Sequence, residues 1–281
     1  MLIAFLSDWG LKSYYVGVCK AVIHSINPGA KVIDLTHEIE PFCVREAMHV
    51  LYRAYRDFPP RTVFLTVVDH GVGTERKAIA FSTQSDYFFV GPDNGLFTLV
   101  AEEDTIIEIR ELANANLFYK KRPSTSFHGR DIFAPCAAFL SKGMPLENLG
   151  PPLPEITSLD YQKPRLEKGK ITGEIAFFDR FGNIETNIPE TWLSTQKGLK
   201  FYQKLPIYIS GEIYTVHYAP TYGSIPQGEI LIHGDSSGFL EIAVNQGNAR
   251  ERLKAEAGSL VEIQIPQIEG KIKKLGRGEN L

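Results

Sequence analysis

Apolar residues in the first half of the chain alternate between two periods. Short runs of strand formers, Leu2 to Leu6, Lys31 to Leu35 and Val63 to Val68, are separated by stretches with apolar side chains at helical spacing. Tyr15 to Ile26 places Tyr15, Val18, Cys19, Val22 and Ile26 on one helical face, and Asn27-Pro28-Gly29 stops it. A second helix, from about Val44 to Tyr55, turns Ala47, Val50, Leu51 and Ala54 inward before the prolines at 59 and 60. Strand, helix, strand, helix, strand predicts an α/β domain with a mainly parallel sheet covered by helices. Ala78 to Phe81, Tyr87 to Val90 and Ile106 to Ile109 add strands. Asp131 then stands where it can cap a helix presenting Ile132, Cys136, Phe139 and Leu140.

The pattern changes after residue 150. Gly150-Pro151-Pro152-Leu153-Pro154 opens a turn-rich stretch, which predicts a first domain over 1–150, a linker over 151–170 and a second domain over 171–281. In the second domain Gly173 to Phe178, Leu205 to Ile209, Tyr214 to Ala219, Glu229 to His233, Gly238 to Val244 and Ser259 to Gln264 are strands separated by glycine, proline and asparagine. That spacing predicts a smaller all-β, barrel-like domain. The Lys-rich tail after Glu269 reads as a frayed end, and no internal repeat of fixed period is present.

Charge and cysteine usage narrow the function classes. A formal net charge of -3 over 281 residues, without a dense basic stretch, argues against a nucleic-acid partner. The three cysteines, Cys19, Cys43 and Cys136, form neither a CxxC pair nor a disulfide framework, which predicts buried thiols in a reducing compartment. The start, MLIAFLSD, meets an acidic residue at Asp8 before a signal-length apolar core forms, and no later run approaches about 18 apolar residues. A cytoplasmic protein without a membrane partner is the expectation.

The candidate chemistry gathers at strand ends. Asp8, Asp69 and Asp93 each follow an apolar strand, so three carboxylates stand along one edge of one sheet, where α/β proteins bind ligands. Turn capping explains each singly, whereas together they suit a ligand with hydroxyls or a positive centre. After Asp69, Gly71 and Gly73 let the chain turn tightly, and Arg76 can return to hold the carboxylate ionised. His128, between an aromatic residue and Gly129, is the nearby proton carrier. Asp69, Arg76 and His128 are therefore a candidate set for orienting a water, with an ordinary salt bridge and a loop histidine as the alternative. In the second domain Asp179 and Asn183 flank a turn, and Ser236 with Ser237 occupies another; Asx turns are the plain alternative there. His37, His70 and His128 lack metal-ligand spacing, and the chain has neither GxGxxG nor GxxxxGK[ST].

Several long motifs then occur in one order: Ser7-Asp8-Trp9-Gly10 with Tyr15-Val16-Gly17, Ile33 to Ile39, VVDHGVGT at 67 to 74, GPDNGL at 91 to 96, FHGRDIFAP at 127 to 135 and FGNIETNI at 181 to 188. In these the chain resembles the S-adenosylmethionine hydroxide adenosyltransferases, relatives of the fluorinating and chlorinating enzymes, from the first strand to about Ala249. The resemblance implies an α/β domain followed by a barrel-like domain, and a homotrimer with active sites between the first domain of one subunit and the second domain of its neighbour. It implies metal-independent hydrolysis of S-adenosylmethionine to adenosine and methionine, with no cofactor, and a catalytic set matching Asp69, Arg76 and His128. Asp8 matches the ribose-binding aspartate. Asn183 and Asp179 match residues holding the adenine and the methionine amino group, and Ser236 matches the contact to the methionine carboxylate, with Ser237 beside it.

A short segment from Asp93 to His128, without the extra loop of the fluorinating enzymes, favours water over halide within this resemblance. Two positions depart from it: His70 replaces the proline of VVDPGVGT, and Ser13 replaces an aspartate before the Tyr-Val-Gly segment. A halide-dependent halogenase, a metal-dependent hydrolase and a non-catalytic binding protein are the competing readings.

Overall fold

The computed structural model describes residues 1–265 and forms two compact units, divided between Asp160 and Tyr161. The expected frayed tail lies outside the described residues. In the first unit the strands are β1 (Leu2–Ser7), β2 (Lys31–Thr36), β3 (Val63–Val67), β4 (Ala78–Thr83), β5 (Phe88–Pro92) and β6 (Ile106–Glu111). They form one sheet in the order β2-β1-β3-β5-β4-β6. Neighbours from β2 through β5 pair in parallel, whereas β4 runs antiparallel to both β5 and β6. Helices α1 (Tyr15–Ile26), α2 (Val44–Ala54), α3 (Thr98–Glu103) and α4 (Ala134–Ser141) belong to the same unit.

Alternation along each strand divides the core into two layers. Ile3, Phe5, Val63, Leu65 and Val67 pack with α1 and α4 residues such as Cys19, Ile23 and Ala137. Ala4, Leu6, Phe64 and Phe89 pack with Leu51 of α2 and Val100 of α3. Burial on both faces explains why β1 and β3 are nearly continuous apolar runs, broken only by Ser7 and Thr66, rather than alternating ones. On the α2 side Phe64, Phe89 and Phe81 stack nearly parallel across three adjacent strands, with centroids 5.0 and 4.9 Å apart.

Three details differ from the pattern-based expectation. The buried face of α1 is Val16, Cys19, Val22 and Ile23, while Tyr15 is turned outward beside Trp9 and Phe127. Asp131 does not cap a helix: α4 begins at Ala134 after one π-helical turn, Gly129–Phe133. Its buried carboxylate instead accepts from Arg130 Nε at 2.7 Å and from the Ser124 backbone N–H at 2.8 Å. The stretch 151–170 is shared: Leu153, Ile156 and Leu159 pack against the first core, and Arg165–Glu167 is a strand of the second unit.

The second unit contains β7 (Arg165–Glu167), β8 (Lys170–Phe178), β9 (Ile184–Pro189), β10 (Lys204–Ile209), β11 (Glu212–Tyr218), β12 (Ile230–Gly234), β13 (Phe239–Val244) and β14 (Leu260–Gln264), with short helices α5 (Thr191–Ser194) and α6 (Ala249–Leu253). Its strands run in the order β14-β10-β11-β12-β13-β9-β8-β7, and β14 pairs back to β8. The sheet closes into a barrel with β7 outside the ring, filled by Ile171, Ile184, Ile207, Ile232, Ile242 and Val261 among others.

Candidate active site

The site is built from two loops of the first unit. Asp69 follows β3 and enters a turn in which Val72 N–H donates to the Asp69 carbonyl and Thr74 N–H to the Gly71 carbonyl, at 3.4 and 3.1 Å. The turn returns Arg76 to Asp69. Arg76 Nε donates to Oδ1 at 2.7 Å, and Nη2 donates to Oδ2, completing a bidentate pair. Only 10% of the Arg76 side chain and 6% of the Asp69 side chain are exposed, so the pair is screened little by solvent. The guanidinium also lies 5.2 Å from the Phe133 ring centroid.

The second loop carries His128 at the entrance to the π-helical turn. Its Nδ1 is 3.0 Å from Arg76 Nη2. A guanidinium has donors only, so Nδ1 must accept, and the ring proton of the neutral imidazole sits on Nε2. Burial, and next the Arg76 charge, hold the His128 pKa below its ordinary value. Asp69, Arg76 and His128 thus form one hydrogen-bonded set, with neutral His128 carrying its proton on the nitrogen turned away from Arg76.

Two glycines bring the loops together. Gly73 has φ +77°, and a Cβ there would stand 2.3 Å from the Thr125 carbonyl oxygen. At Gly129 a Cβ would stand 2.4 Å from the Trp9 indole. Between them opens a cleft of about 370 Å3 lined by Trp9, Tyr15, Asp69, Val72, Phe127 and His128. Trp9 meets Tyr15 and Phe127 edge to face, with centroids 6.2 and 5.6 Å apart. Strand and helix patterning did not single out this aromatic wall, because Trp9 and Phe127 lie outside regular elements. The signals in the sequence were that each adjoins a candidate polar group and stands in one of the family-like motifs, Ser7 to Gly10 and Phe127 to Pro135.

Asp8 lies next to this set. Burial raises its pKa; the Phe42 N–H, donating to Oδ2 at 2.9 Å, works against that, and the charge of Asp69 adds to it. Phe42 has φ +67°, an uncommon conformation for a bulky residue. Asp93 stands apart: its carboxylate accepts from the Thr157 N–H at 2.7 Å, and it does not line the cleft. His70 and Ser13, the two departures, are both exposed.

In the second unit Asp179 and Asn183 are brought together by an Asx turn. Asp179 Oδ1 accepts from the backbone N–H groups of Phe181 and Asn183, at 2.9 and 2.8 Å, and Oδ2 accepts from Asn183 Nδ2 at 2.9 Å. Ser236 and Ser237 are exposed on the turn joining β12 to β13, which Asp235 organises by accepting from Ser237 and Phe239 N–H. Beneath that turn His233 has acceptors at both ring nitrogens, the Gly234 carbonyl at Nδ1 and Glu241 Oε1 at Nε2. Burial pulls the His233 pKa down, but the bond to Glu241 outweighs it and the net shift is upward. Burial likewise opposes ionisation of Glu241, and hydrogen bonds from His233 and Tyr222 bring its pKa below the ordinary value.

This pair gives a signed pH dependence. The His233 contribution is complete below its unfolded pKa of 6.5 and is lost as pH rises through the raised folded value; that of Glu241 is complete above 4.5 and is lost as pH falls. Thermal unfolding followed from pH 5 to 9 should therefore show the second unit losing stability above about pH 6.5. His233→Gln should flatten that part of the curve, and an unchanged slope in the variant would assign the effect elsewhere.

Among the described residues no helix is long and apolar enough to cross a membrane, and no three His, Cys, Asp or Glu side chains are grouped as metal ligands. Comparison with known proteins adds the following. The family model described as SAM hydroxide adenosyltransferase N-terminal domain matches residues 3–150, and the one described as SAM hydroxide adenosyltransferase C-terminal domain matches residues 173–262. An (R)-S-adenosyl-L-methionine hydrolase of Thermus thermophilus is 40% identical, over 92% of this chain and 98% of that protein. A fluorinase of an Actinoplanes species is 28% identical, over 93% and 97%. The crystal structure of an uncharacterized conserved protein from Thermotoga maritima superposes with a TM-score of 0.88 at 53% identity, covering 93% of this chain and 99% of that one.

Proposed function

The chain belongs to the S-adenosylmethionine hydroxide adenosyltransferase family, and from that membership we propose that it hydrolyses S-adenosylmethionine to adenosine and methionine at the Asp69–Arg76–His128 cleft. The observation that carries the reading is the joining of these three side chains into one hydrogen-bonded set on the wall of a cleft. In the reaction the oxygen of water forms a bond to C5′ while the C5′–S bond breaks. Its electron pair returns to sulfur, the sulfonium leaves as a neutral thioether, and one proton is released. A leaving group of this kind needs no acid and no metal, so catalysis rests on delivering and polarising the water.

The geometry divides that work. Arg76 occupies one lone pair on each Asp69 oxygen, leaving others free to accept from a water and finally to receive its proton. His128 presents Nε2–H as a donor that holds the oxygen's lone pair, since its Nδ1 is engaged by Arg76. A carboxylate acceptor matches water, which has protons to donate, and not halide, which has none; this supports hydrolysis over halogenation. Asp8 serves the ribose hydroxyls, Asn183 the adenine, Asp179 the methionine ammonium, and Ser236 with Ser237 the methionine carboxylate. The family resemblance further supports a cytoplasmic homotrimer whose sites are each completed by the second unit of a neighbouring copy. Sedimentation equilibrium checks the assembly.

Purified protein incubated with S-adenosylmethionine, with and without chelator, should yield adenosine and methionine by chromatography and mass. His128→Ala should reduce the rate about a hundredfold, the low end of the range for a positioned acid–base or polarising group. Because His128 must be neutral, the wild-type rate should hold at neutral pH and fall only below about pH 6.5, on the side to which its pKa is shifted. A halogenated nucleoside formed in chloride or fluoride would overturn water as the nucleophile.

A further inference from the structure

Behind Asp8 lies a second chain of polar groups that the proposed reaction does not use. Ser7, the last residue of β1, is fully buried, and its Oγ lies 2.7 Å from His37 Nδ1. His37 is itself 3% exposed, packed edge-on against Phe5 with ring centroids 4.7 Å apart. Its Nε2 is 3.1 Å from Asp34 Oδ1, though off the N–H direction, so the contact is electrostatic rather than a straight hydrogen bond. Asp34 Oδ2 is held in turn by Lys20 Nζ at 2.6 Å. Burial keeps the imidazole neutral against the pull of Asp34, and the adjacent carboxylate favours the proton on Nε2. Nδ1 then accepts from the Ser7 hydroxyl.

Serine, histidine and aspartate in this order resemble an activated nucleophile, but a fully buried Ser7 has no access to substrate. A different role follows from the backbone. The His37 carbonyl accepts from Gly10 N–H at 2.7 Å. One residue therefore grips the chain on both sides of Asp8, by its side chain at Ser7 and by its carbonyl at Gly10. The Asp8 carboxylate itself is held by backbone N–H groups, that of Phe42 at 2.9 Å and its own.

We propose that His37 is a positioning residue that fixes Asp8, through the buried Ser7 hydroxyl and the Gly10 amide, for recognition of a ribose diol. The inference rests on the assignment of Asp8 to ribose hydroxyls. A carboxylate accepting from two vicinal hydroxyls needs its orientation set to within a fraction of an ångström, and a buried hydrogen bond at the preceding residue sets it before ligand arrives.

Substitutions at 37 separate the two ring nitrogens. In His37→Asn the amide oxygen replaces Nδ1 and keeps the Ser7 bond; in His37→Gln the amide reaches the Nε2 position and loses it; Ser7→Ala removes the partner. Adenosine and 2′,3′-dideoxyadenosine binding are measured by calorimetry, alongside KM and kcat for S-adenosylmethionine. The expected result is that His37→Gln and Ser7→Ala weaken adenosine binding and raise KM by about tenfold, with kcat within about twofold. Dideoxyadenosine binding should be unchanged and His37→Asn close to wild type. Equal losses for adenosine and its dideoxy analogue, or a fall in kcat alone, would overturn the proposal and leave His37 as a structural residue. If wild type bound both nucleosides equally well, the assignment of Asp8 to the ribose would fail first, and this inference with it.

Discussion

Arg76→Leu should reduce the rate of S-adenosylmethionine hydrolysis about a thousandfold or more and lower the unfolding temperature as well. Arg76 touches both other members of the set: it closes a bidentate pair with Asp69 and donates to His128 Nδ1. Leucine restores apolar volume but leaves a carboxylate that is 6% exposed without its counter-charge. Breaking a buried pair from one side costs about 3–5 kcal/mol. Some of that appears as lost stability. The remainder appears as a carboxylate no longer held in place, so the acceptor that the water requires loses its orientation. The loss of the donor to Nδ1 also frees His128 to change tautomer, so that Nε2 no longer presents a proton. Because the three act as a unit, Asp69→Asn combined with Arg76→Leu should be little slower than Arg76→Leu alone. Steady-state rates of the single and double variants, with calorimetric melting, check this; additive losses would show that the residues work separately.

Gly73→Ala should lower activity about a hundredfold without adding or removing any polar group. The position has φ +77°, which costs an L-residue about 1–2 kcal/mol. Its new methyl carbon would stand 2.3 Å from the Thr125 carbonyl oxygen, where the neighbour is backbone and cannot swing aside. Relief requires the 69–76 turn and the 124–128 loop to separate by about an ångström, and misplacement on that scale costs about a hundredfold in rate. A melting temperature lowered by only a few degrees, with activity lost far more steeply, would locate the effect in the approach of the two loops; unchanged kcat would show that Arg76 and His128 need not meet closely.

Much of the first unit was readable in advance because its strands are buried on both faces. A strand such as Val63–Val67 is buried at every position and apolar at all but Thr66, and the helices between the strands carry a distinct period. Reading failed where a side chain faces the cleft instead of the core. Tyr15 fits the apolar face of α1 by spacing, yet packing against Trp9 and Phe127 turns it outward and rotates the buried face to Val16 and Ile23. In the barrel, β9 was not among the expected strands: Glu185, Thr186 and Asn187 break the apolar pattern there. All three are buried there, Thr186 donating to the Leu240 carbonyl at 2.6 Å. Polar residues can fill a strand when neighbouring strands supply partners, and composition carries no record of those partners.

The candidate site shows the same division. Residue type and order alone determined that Asp69 follows a strand, that a glycine-rich turn comes after it, and that the motifs match one family in sequence. Only the tertiary structure decided that Arg76 reaches both Asp69 and His128, and so which nitrogen of His128 carries the proton. It also showed that Asp93 accepts from the Thr157 backbone and does not line the cleft, and that His37, part of the Ile33 to Ile39 motif but given no role from sequence, holds Ser7 beside Asp8. Strand ends and turns follow from local propensity and periodicity. Which polar groups remain available for chemistry depends on partners that are distant along the chain and meet only when it folds.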